Sequence, residues 1–285
     1  MACCNISQYV YHPFYGTDET YVGRGGRDVS EGKRAERKLK AVSAGEAEGA
    51  PTRQNRTNQF ELAYDRIEHL IVTCVLKPGQ VLSLQDLQDL IGLGRTPVHQ
   101  AVARFAADTL ILIRPRHGLQ IAPIDLARER VLLALRADLE RFVIRLAAER
   151  SGAPHRNQML HLQRTLRERR DVMDIDEFNL FDRRIDRLIQ ALAGEPFLEH
   201  ALRPLHTMSR RTGWIHYAQF KGASSLQTTI DCHLAVVEAV ANRHIDRALD
   251  ASDKLIAFVD SMFDVMEREI DPSLLDCSIE PITAR

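Results

Sequence analysis

The sequence lacks long apolar runs. No stretch approaches the ~20 apolar residues that a membrane-spanning helix needs, and the N-terminus has no short apolar core of the kind found in secretory signal peptides. Its net charge is also small, because 38 Lys and Arg face 39 Asp and Glu, which leaves −1 at pH 7. This balance argues against a broadly basic chain that coats nucleic acid without sequence preference, but it is compatible with a local basic face.

Cysteine patterning and catalytic motifs are also absent. The five cysteines are odd in number and share no metal-ligand spacing: Cys3, Cys4, Cys74, Cys232 and Cys277. They are typical of reduced thiols, so we expect a cytoplasmic protein. We find no nucleophile–base constellation and no phosphate-cradling glycine loop, so the sequence does not favour an enzyme. The 285 residues are 45% hydrophobic and 27% charged, which predicts a globular chain of about two domains.

The most informative segment is residues 81–118. Ser83 is a good helix N-cap, and the apolar residues after it recur at helical spacing. They predict a buried helix face made of Leu84, Leu87, Leu90 and Ile91. Gly92 and Gly94 then predict a tight turn. Thr96 and Pro97 supply an N-cap and a first helical residue, so a second helix is expected to begin there.

The second helix has two unlike faces. Apolar residues at i, i+3, i+4 and i+7 predict its core side: Val98, Ala101, Val102 and Phe105. The opposite side is polar or small: Thr96, His99, Gln100 and Ala103. Such a face suits a helix that enters a major groove with its N-terminal turn against phosphates and base edges. Arg95 precedes the helix and is placed to reach the same groove.

Two alternating segments follow, ILIR at 111–114 and LQIA at 119–122. They flank Pro115, Arg116, His117 and Gly118, which predicts a β-hairpin whose tip can approach a DNA backbone or minor groove. The order helix, turn, helix and hairpin is typical of a winged helix-turn-helix. The sequence therefore predicts a DNA-binding domain.

This stretch resembles the GntR family of bacterial transcription regulators. Members carry Lys-Pro-Gly, then a Ser-Arg-Thr-Pro-Val-Arg-Glu-Ala-Leu recognition segment, then a basic wing that ends in Gly. The matching segments here are Lys77-Pro78-Gly79, residues 94–102 and residues 114–118. The resemblance implies DNA contacts from six residues: Arg95, Thr96, His99, Arg116, His117 and Gly118. We add Gln100, because it lies on the polar side of the same helix.

Two positions depart from the family pattern. His99 stands where relatives usually have Arg, and Gly94 stands where they usually have Ser. A neutral imidazole gives one donor and not a bidentate fork, so the operator sequence of relatives does not transfer to this chain. The family also implies a homodimer on a pseudo-palindromic operator, with half-sites about 34 Å apart.

After the wing, helical periodicity predicts six helices, at 126–151, 154–170, 174–193, 196–218, 226–243 and 245–269. Their short connections favour an antiparallel all-α bundle. VLLALRADLERFVIRLAAERSG resembles the first helix of the effector-binding domain of the FadR subfamily. The fold class is therefore mainly α, with four segments: a disordered tail at 1–58, the DNA-binding domain at 59–122, an effector-binding and dimerisation domain at 123–271 and a tail at 272–285.

Arg136 is an unusual residue in the first of these helices. An apolar stripe is predicted there from Leu132, Leu135, Leu139 and Val143, and Arg136 falls within it. A guanidinium on a buried face is costly unless it is paired. Two alternatives stay open at this point: a structural ion pair with Glu140, one turn later, or an anchor for an effector carboxylate with Glu140 holding the fork.

The third and fifth helices carry a second polar set. Asp182 and Asp186 are one turn apart and repel each other, so a cation or donor is expected nearby. His233 shares the apolar stripe of the fifth helix. Many relatives bind a divalent metal with an Asp, a His four residues later, and two further His. The matching positions here are Asp182, Asp186, His233 and Leu255, so two imidazoles are missing and a polar pocket wall without metal is favoured.

We therefore predict a non-enzymatic, metabolite-responsive transcription regulator, most simply a repressor, that needs no cofactor. The effector, an organic acid, is expected at Arg136, Glu140, Asp182, Asp186 and His233. Two alternatives stay open: a helical metal-dependent hydrolase that uses Asp182, Asp186 and His233, and a purely architectural DNA-binding protein without a sensor cavity. The inward Arg136 and the large second domain argue against the architectural protein.

Overall fold

The computed structural model describes residues 53–220 and 226–279, with side chains from residue 59 onward. Most of the tail predicted at 1–58 lies outside this range, as do residues 280–285. The first described helix, α1, begins at Arg53, so residues 53–58 are helical although we had assigned them to the tail. Within the described ranges, no helix is both long and apolar enough to cross a membrane.

A winged domain comes first. Its elements are α1 (Arg53–Val72), β1 (Val81–Leu82), α2 (Leu84–Ile91), α3 (Arg95–Ala107), β2 (Ile111–Arg114) and β3 (Gly118–Ile121). The strands form an antiparallel sheet in the order β1-β3-β2, in which Arg114 pairs with Gly118 and Leu82 with Leu119. The predicted hairpin is confirmed, whereas the two-residue strand β1 was not anticipated.

The capping of α2 follows the sequence, but that of α3 does not. Ser83 accepts the backbone N–H of Asp86 and Asp86 accepts that of Ser83, which makes a capping box, and Gly92 ends α2 with φ of 65°. The N-cap of α3 is Gly94, without a side-chain hydrogen bond. Thr96 was therefore wrongly predicted as the cap, because the helix begins two residues earlier than predicted, at Arg95 and not at Pro97.

The predicted inner face of α3 is confirmed. Val98, Ala101 and Phe105 have no exposed surface, and Phe105 stacks on Tyr64 of α1 with ring centroids 4.3 Å apart. In α2, Leu87 and Ile91 are buried. Leu90 is 47% exposed, so its assignment to the inner face was wrong.

Six helices form the second part, which we call the helical bundle: α4 (Leu126–Arg150), α5 (Ala153–Arg169), α6 (Ile175–Ala193), α7 (Pro196–Gln219), α8 (Leu226–Ala241) and α9 (Ile245–Glu269). The predicted helix bounds are confirmed to within two residues. Each long amphipathic helix buries its apolar side against its neighbours, and the bundle core draws residues from all six helices.

The inward face of α4 is rotated relative to the prediction. Its buried residues include Leu133, Arg136, Glu140 and Val143, whereas Leu135 is 50% exposed. Helical periodicity alone did not separate these neighbouring stripes, because α4 carries apolar residues on most of its circumference. Arg136 does point inward as predicted, since only 7% of it is exposed.

The C-terminal segment is docked and not loose. A short helix, α10 (Pro272–Leu275), follows the bundle, and the Ile124 N–H donates to the Leu275 carbonyl at 2.8 Å. The Cys277 N–H donates to the Pro78 carbonyl at 2.8 Å. Residues 272–279, which we had assigned to a tail, therefore pack on the Lys77-Pro78-Gly79 turn of the winged domain.

Candidate nucleic-acid interface and buried polar cluster

The outer side of α3 is a candidate nucleic-acid interface. Arg95, Thr96, His99 and Gln100 are all exposed, while the opposite side of the same helix is buried. Within the described residues, none of these four side chains makes a hydrogen bond or ion pair. Because Gly94 caps α3 only through its backbone, the first-turn N–H groups are also without a side-chain acceptor. This surface is therefore free to meet phosphates and base edges.

The wing presents a second exposed basic set. Arg114, Arg116 and His117 are exposed at the hairpin. Arg116 has φ of 66° and Gly118 has φ of 90°. A Cβ on Gly118 would lie 2.6 Å from the carbonyl oxygen of Leu82 on β1, so this position requires glycine for the close approach of two strands. DNA contact by Gly118 stays a prediction, while its role in the turn is structural.

A buried polar cluster lies inside the bundle and reaches α1 of the winged domain. Its charged members are Glu68, Arg136, Glu140, Asp182, Asp186, His206, Arg210 and His233. They come from α1, α4, α6, α7 and α8. All five of the predicted effector-site residues belong to this cluster, so the structure brings them together.

His206 joins α4 to α6 through two carboxylates. Its Nε2 lies 2.6 Å from Glu140 and its Nδ1 lies 2.9 Å from Asp186. Burial alone would lower the pKa of His206, but Asp186 and Glu140 outweigh burial and raise it to about 9. His206 is thus an imidazolium at neutral pH. Burial would raise the pKa of Glu140, yet His206 and Arg136 lower it to about 2.

Arg210 supplies the cation that the two aspartates require. Its Nη1 donates to Asp186 at 2.7 Å and to Asp182 at 3.3 Å, and its Nη2 donates to Glu68 of α1 at 3.0 Å. Burial would raise the pKa of Asp186, but His206 and Arg210 hold it below the usual range of a carboxyl group. The expected compensation of this like-charged pair is therefore present.

His233 closes the other end of the cluster. Its Nδ1 donates to the Thr229 carbonyl at 2.8 Å, and its Nε2 lies 2.9 Å from Asp182 Oδ1, an ion-pair contact that is not well aligned as a hydrogen bond. Burial lowers the pKa of His233, but the adjacent carboxylate of Asp182 raises it overall. Both nitrogens of the ring are therefore engaged by the protein.

The donor set does not suit a tightly held zinc-like ion. Glu140, Asp186 and His206 each offer an atom within 4.8 Å of the others, but His206 carries a proton between the two carboxylates, and Arg210 already neutralises Asp186. The Leu255 position, where relatives place an imidazole, is a buried apolar side chain. Metal binding would displace two built-in cations, and the expectation of no metal stays a prediction that this geometry supports.

A small cavity of about 50 Å³ adjoins the cluster. Its polar wall includes Arg136, Asp182, Arg210, Tyr217 and His233, and its apolar wall includes Phe178, Leu255 and Met262. Among the described residues, Arg136 donates only through Nε, to Glu140 at 3.2 Å, which leaves both of its Nη nitrogens available. The cavity is therefore lined by a largely buried guanidinium that uses only its Nε donor.

A wider groove of about 610 Å³ lies between α8 and α9. Four of its charged groups are already paired, Asp231 with Arg170 at 2.6 Å, Glu238 with Arg167 at 2.7 Å, and Lys254 with Asp250 at 2.7 Å, whereas Arg247 makes no ion pair among the described residues. We place the candidate site in the smaller cavity, because Arg136, which lines it, is only 7% exposed and its Nη nitrogens make no hydrogen bond among the described residues.

Sequence reasoning missed the roles of His206, Arg210 and Glu68. Leu202, His206 and Arg210 recur every fourth residue on the buried side of α7, so their helical register was a usable signal. Glu68 gave no comparable signal, because its partners lie more than 100 residues away in the chain.

Family models match the two parts of the chain separately. The model described as "Bacterial regulatory proteins, gntR family" matches residues 60–121, and the model described as "FCD domain" matches residues 131–258. The first range contains both the α3 surface and the wing. The second contains every charged member of the buried cluster except Glu68.

The chain is similar to curated regulators. The HTH-type transcriptional repressor RspR of Escherichia coli (strain K12) is 27% identical over 179 residues, which cover 62% of this chain and 76% of that protein. An HTH-type transcriptional regulator of Agrobacterium vitis is 37% identical over 63 residues, which cover 22% and 37% of the two chains.

Solved structures share the fold. The chain is similar to E. coli McbR/YncC, with a TM-score of 0.64 and 16% identity over 74% of this chain and 99% of the other. A GntR regulator from Rhodococcus sp. RHA1 has a TM-score of 0.55 and 15% identity, over 73% of this chain and 98% of the other. At these identities the likeness concerns the fold alone.

Proposed function

We propose that this chain, which belongs to the GntR family of bacterial transcription regulators, binds operator DNA through α3 and the wing and responds to a small carboxylic acid held in its FCD domain. The DNA-binding domain and the FCD domain together make it a transcription regulator. The operator contacts, the effector class and the assembly are the parts that we propose. One observation carries the proposal: α3 buries one face completely and leaves its polar face without partners.

DNA recognition is assigned to two surfaces. Arg95, Thr96, His99 and Gln100 would meet the major groove, where an arginine can hold a guanine and a glutamine an adenine. Arg116 and His117 would meet the backbone or minor groove beside it. Because most such contacts involve phosphates, binding is expected to weaken steeply with salt.

The effector is assigned to the cavity beside Arg136. A carboxylate is the natural partner of the two free Nη nitrogens, since a guanidinium and a carboxylate pair through two parallel hydrogen bonds. A space of about 50 Å³ holds roughly four water molecules. We therefore expect an organic acid with few non-hydrogen atoms.

Homodimerisation is assigned to the outer side of α4. Val131, Leu135 and Phe142 are exposed there by 71%, 50% and 54%, while the neighbouring Arg141 pairs with Asp253 of α9. A second copy packed antiparallel would place Leu135 against Phe142 in both directions. This self-complementarity is what a two-fold interface needs.

We propose repression as the regulatory outcome, because the curated relative RspR is named a repressor. The hydrolase alternative is not favoured by the geometry. Both Asp182 and Asp186 accept from Arg210, and His233 is held at both nitrogens, so the set offers no free base beside a nucleophile. Catalysis is therefore no part of the proposed function.

The test is selection of duplex DNA from a random library with the purified protein, followed by fluorescence anisotropy on the enriched sequence. We expect a pseudo-palindrome, and we expect Arg95→Ala to weaken its binding by about 1–3 kcal/mol while the protein stays folded. Arg145→Ala is the matched control, because Arg145 is an exposed arginine of α4, outside the proposed DNA surface. Failure to enrich any sequence, or equal affinities for the Arg95 and Arg145 variants, would contradict the assignment.

A further inference from the structure

Helix α6 faces the cavity on one side and the winged domain on the other. Asp182 and Asp186 point to the buried cluster, whereas Arg183 and Arg187 reach Asp65 of α1. Arg183 also lies 2.6 Å from Glu68. The polar wall of the cavity and the attachment of α1 are therefore built from adjacent residues of one rigid helix.

The single guanidinium of Arg210 on α7 also contacts both sides, the cavity carboxylates and the winged domain. Nη1 serves the cavity side, through Asp186 at 2.7 Å and Asp182 at 3.3 Å, while Nη2 serves Glu68 at 3.0 Å. Arg210 and Glu68 are 8% and 2% exposed, so water screens this contact little. Thr207, one turn before Arg210, also donates to Glu68. The α1 helix that Glu68 belongs to packs directly on α3 through Tyr64 and Phe105.

We infer that Arg210 is a positioning residue that transmits occupancy of the cavity to the winged domain, by dividing its hydrogen bonds between the cavity carboxylates and Glu68. The inference deepens the regulatory part of the proposed function and rests on it. A ligand beside Arg136 would thus weaken or strengthen the ion pair between Arg210 and Glu68 of α1.

The physical reason is competition for one cation in a dry environment. Arg210 lines the cavity, so a carboxylate that enters becomes a further acceptor for its guanidinium. Each hydrogen bond drawn toward the cavity weakens the bond to Glu68, because the geometry of the fork is fixed. A buried ion pair switches between a few discrete hydrogen-bonding arrangements and does not shift gradually. These arrangements supply the two states that a regulatory transition requires.

The inference can be tested without DNA and without an effector, by native-state hydrogen exchange of the α1 backbone amides. The variants are Glu68→Gln, Asp186→Asn and the double variant, and the quantity compared is the opening equilibrium constant of α1. Each substitution changes the opening constant by some factor. If Arg210 connects the two positions, the factor for the double variant differs from the product of the two single factors by at least about threefold.

Asp65→Asn provides the matched control pair with Asp186→Asn. Asp65 is an acidic residue of α1 one turn from Glu68, and it contacts Arg183 and Arg187 but not Arg210. For this pair we expect the change in the opening constant of the double variant to equal the product of the two single changes within about twofold. We also expect the Glu68/Asp186 non-additivity to vanish in an Arg210→Met background. Should that variant fail to fold, Arg210→Lys, which keeps the charge without the fork, replaces it.

Two results would overturn the inference: a Glu68/Asp186 pair that is no more non-additive than the Asp65/Asp186 pair, or non-additivity that persists without the Arg210 fork. Neither result bears on DNA selection, so failure here is distinguishable from failure of the proposed function. If the inference holds, Glu68→Gln keeps its affinity for the selected DNA within threefold but loses the response to a bound carboxylate.

Discussion

Arg136 and Glu140 form an ion pair across one turn of α4, with Nε 3.2 Å from the carboxylate and both residues 7% exposed. The pair is not closed. Glu140 also meets His206 at 2.6 Å, while the Nη nitrogens of Arg136, which lines the cavity, make no hydrogen bond among the described residues. The structural pair that the sequence left as one alternative is therefore present, and it leaves the Nη nitrogens for the effector contact that we propose.

This arrangement predicts the behaviour of Arg136→Met. The variant keeps most of the apolar stem, and Glu140 retains His206 as a partner, so we expect a melting temperature close to that of the parent. Carboxylate affinity should fall more than tenfold, because a desolvated charge-assisted contact typically contributes 2–5 kcal/mol. Isothermal titration with a panel of two- to four-carbon organic acids measures it, with Arg145→Met as the control. Strong destabilisation with unchanged affinity would show that Arg136 has only a structural role.

His206 predicts a specific dependence of stability on pH. Its pKa is raised from the ordinary 6.5 to about 9 by Asp186 and Glu140 against the effects of burial and Arg136, so its contribution is complete below about pH 6.5 and is lost as the pH rises through 9. The difference in unfolding free energy between the parent and His206→Gln should therefore shrink between pH 6.5 and pH 9.5. Urea denaturation at both values measures this difference, and one that does not change with pH would mean that the ring is neutral in the folded state.

The exposed face of α4 predicts the oligomeric state. We expect the parent to sediment as a dimer at micromolar concentration and Leu135→Glu to sediment as a monomer, because a buried, unpaired carboxylate is incompatible with a packed interface. Leu180→Glu is the control, since Leu180 is similarly exposed, by 55%, on another helix. A parent that is monomeric, or a Leu135 variant that stays dimeric, rules out this face.

Gly79 predicts a measurable cost for the docked C-terminal segment. Its φ is 81°, and a Cβ there would overlap the Oδ1 atom of Asp276. Gly79→Ala should therefore lower the free energy of unfolding by about 1 kcal/mol for the backbone conformation and by a further amount for the clash. Adding Asp276→Ala should restore the free energy of unfolding that is lost to the clash, but not the part that is lost to the backbone conformation. If adding Asp276→Ala recovered none of the stability lost in Gly79→Ala, the segment would not pack on this turn in solution.

Local features were predictable from the sequence, and long-range ones were not. The inner face of α3, the hairpin and the helix bounds depend on capping, turn residues and periodicity, which are local. The Arg136–Glu140 pair was also found, because it spans a single turn. Errors arose where two local signals competed, as at Thr96 beside Gly94, or where an apolar residue had no neighbouring element to cover it, as at Leu90 and Leu135.

The buried cluster shows the limit most clearly. The sequence indicated that Asp182 and Asp186 need a cation, but it did not identify Arg210, whose register on α7 only becomes meaningful once α6 and α7 are packed together. Glu68 lies 142 residues before Arg210, so no sequence spacing links them. Partners of this kind are set by tertiary packing.

If the cavity controls DNA binding, the affinity for the selected duplex must differ with and without the carboxylate that binds best to the parent. We expect Kd to change by at least about fivefold and, by reciprocity, the carboxylate affinity to change by the same factor when DNA is present. We expect Arg136→Met to bind the duplex normally and to show no change. Simultaneous binding of DNA and carboxylate by the parent, with both affinities unaltered, would rule out control of DNA binding by the cavity.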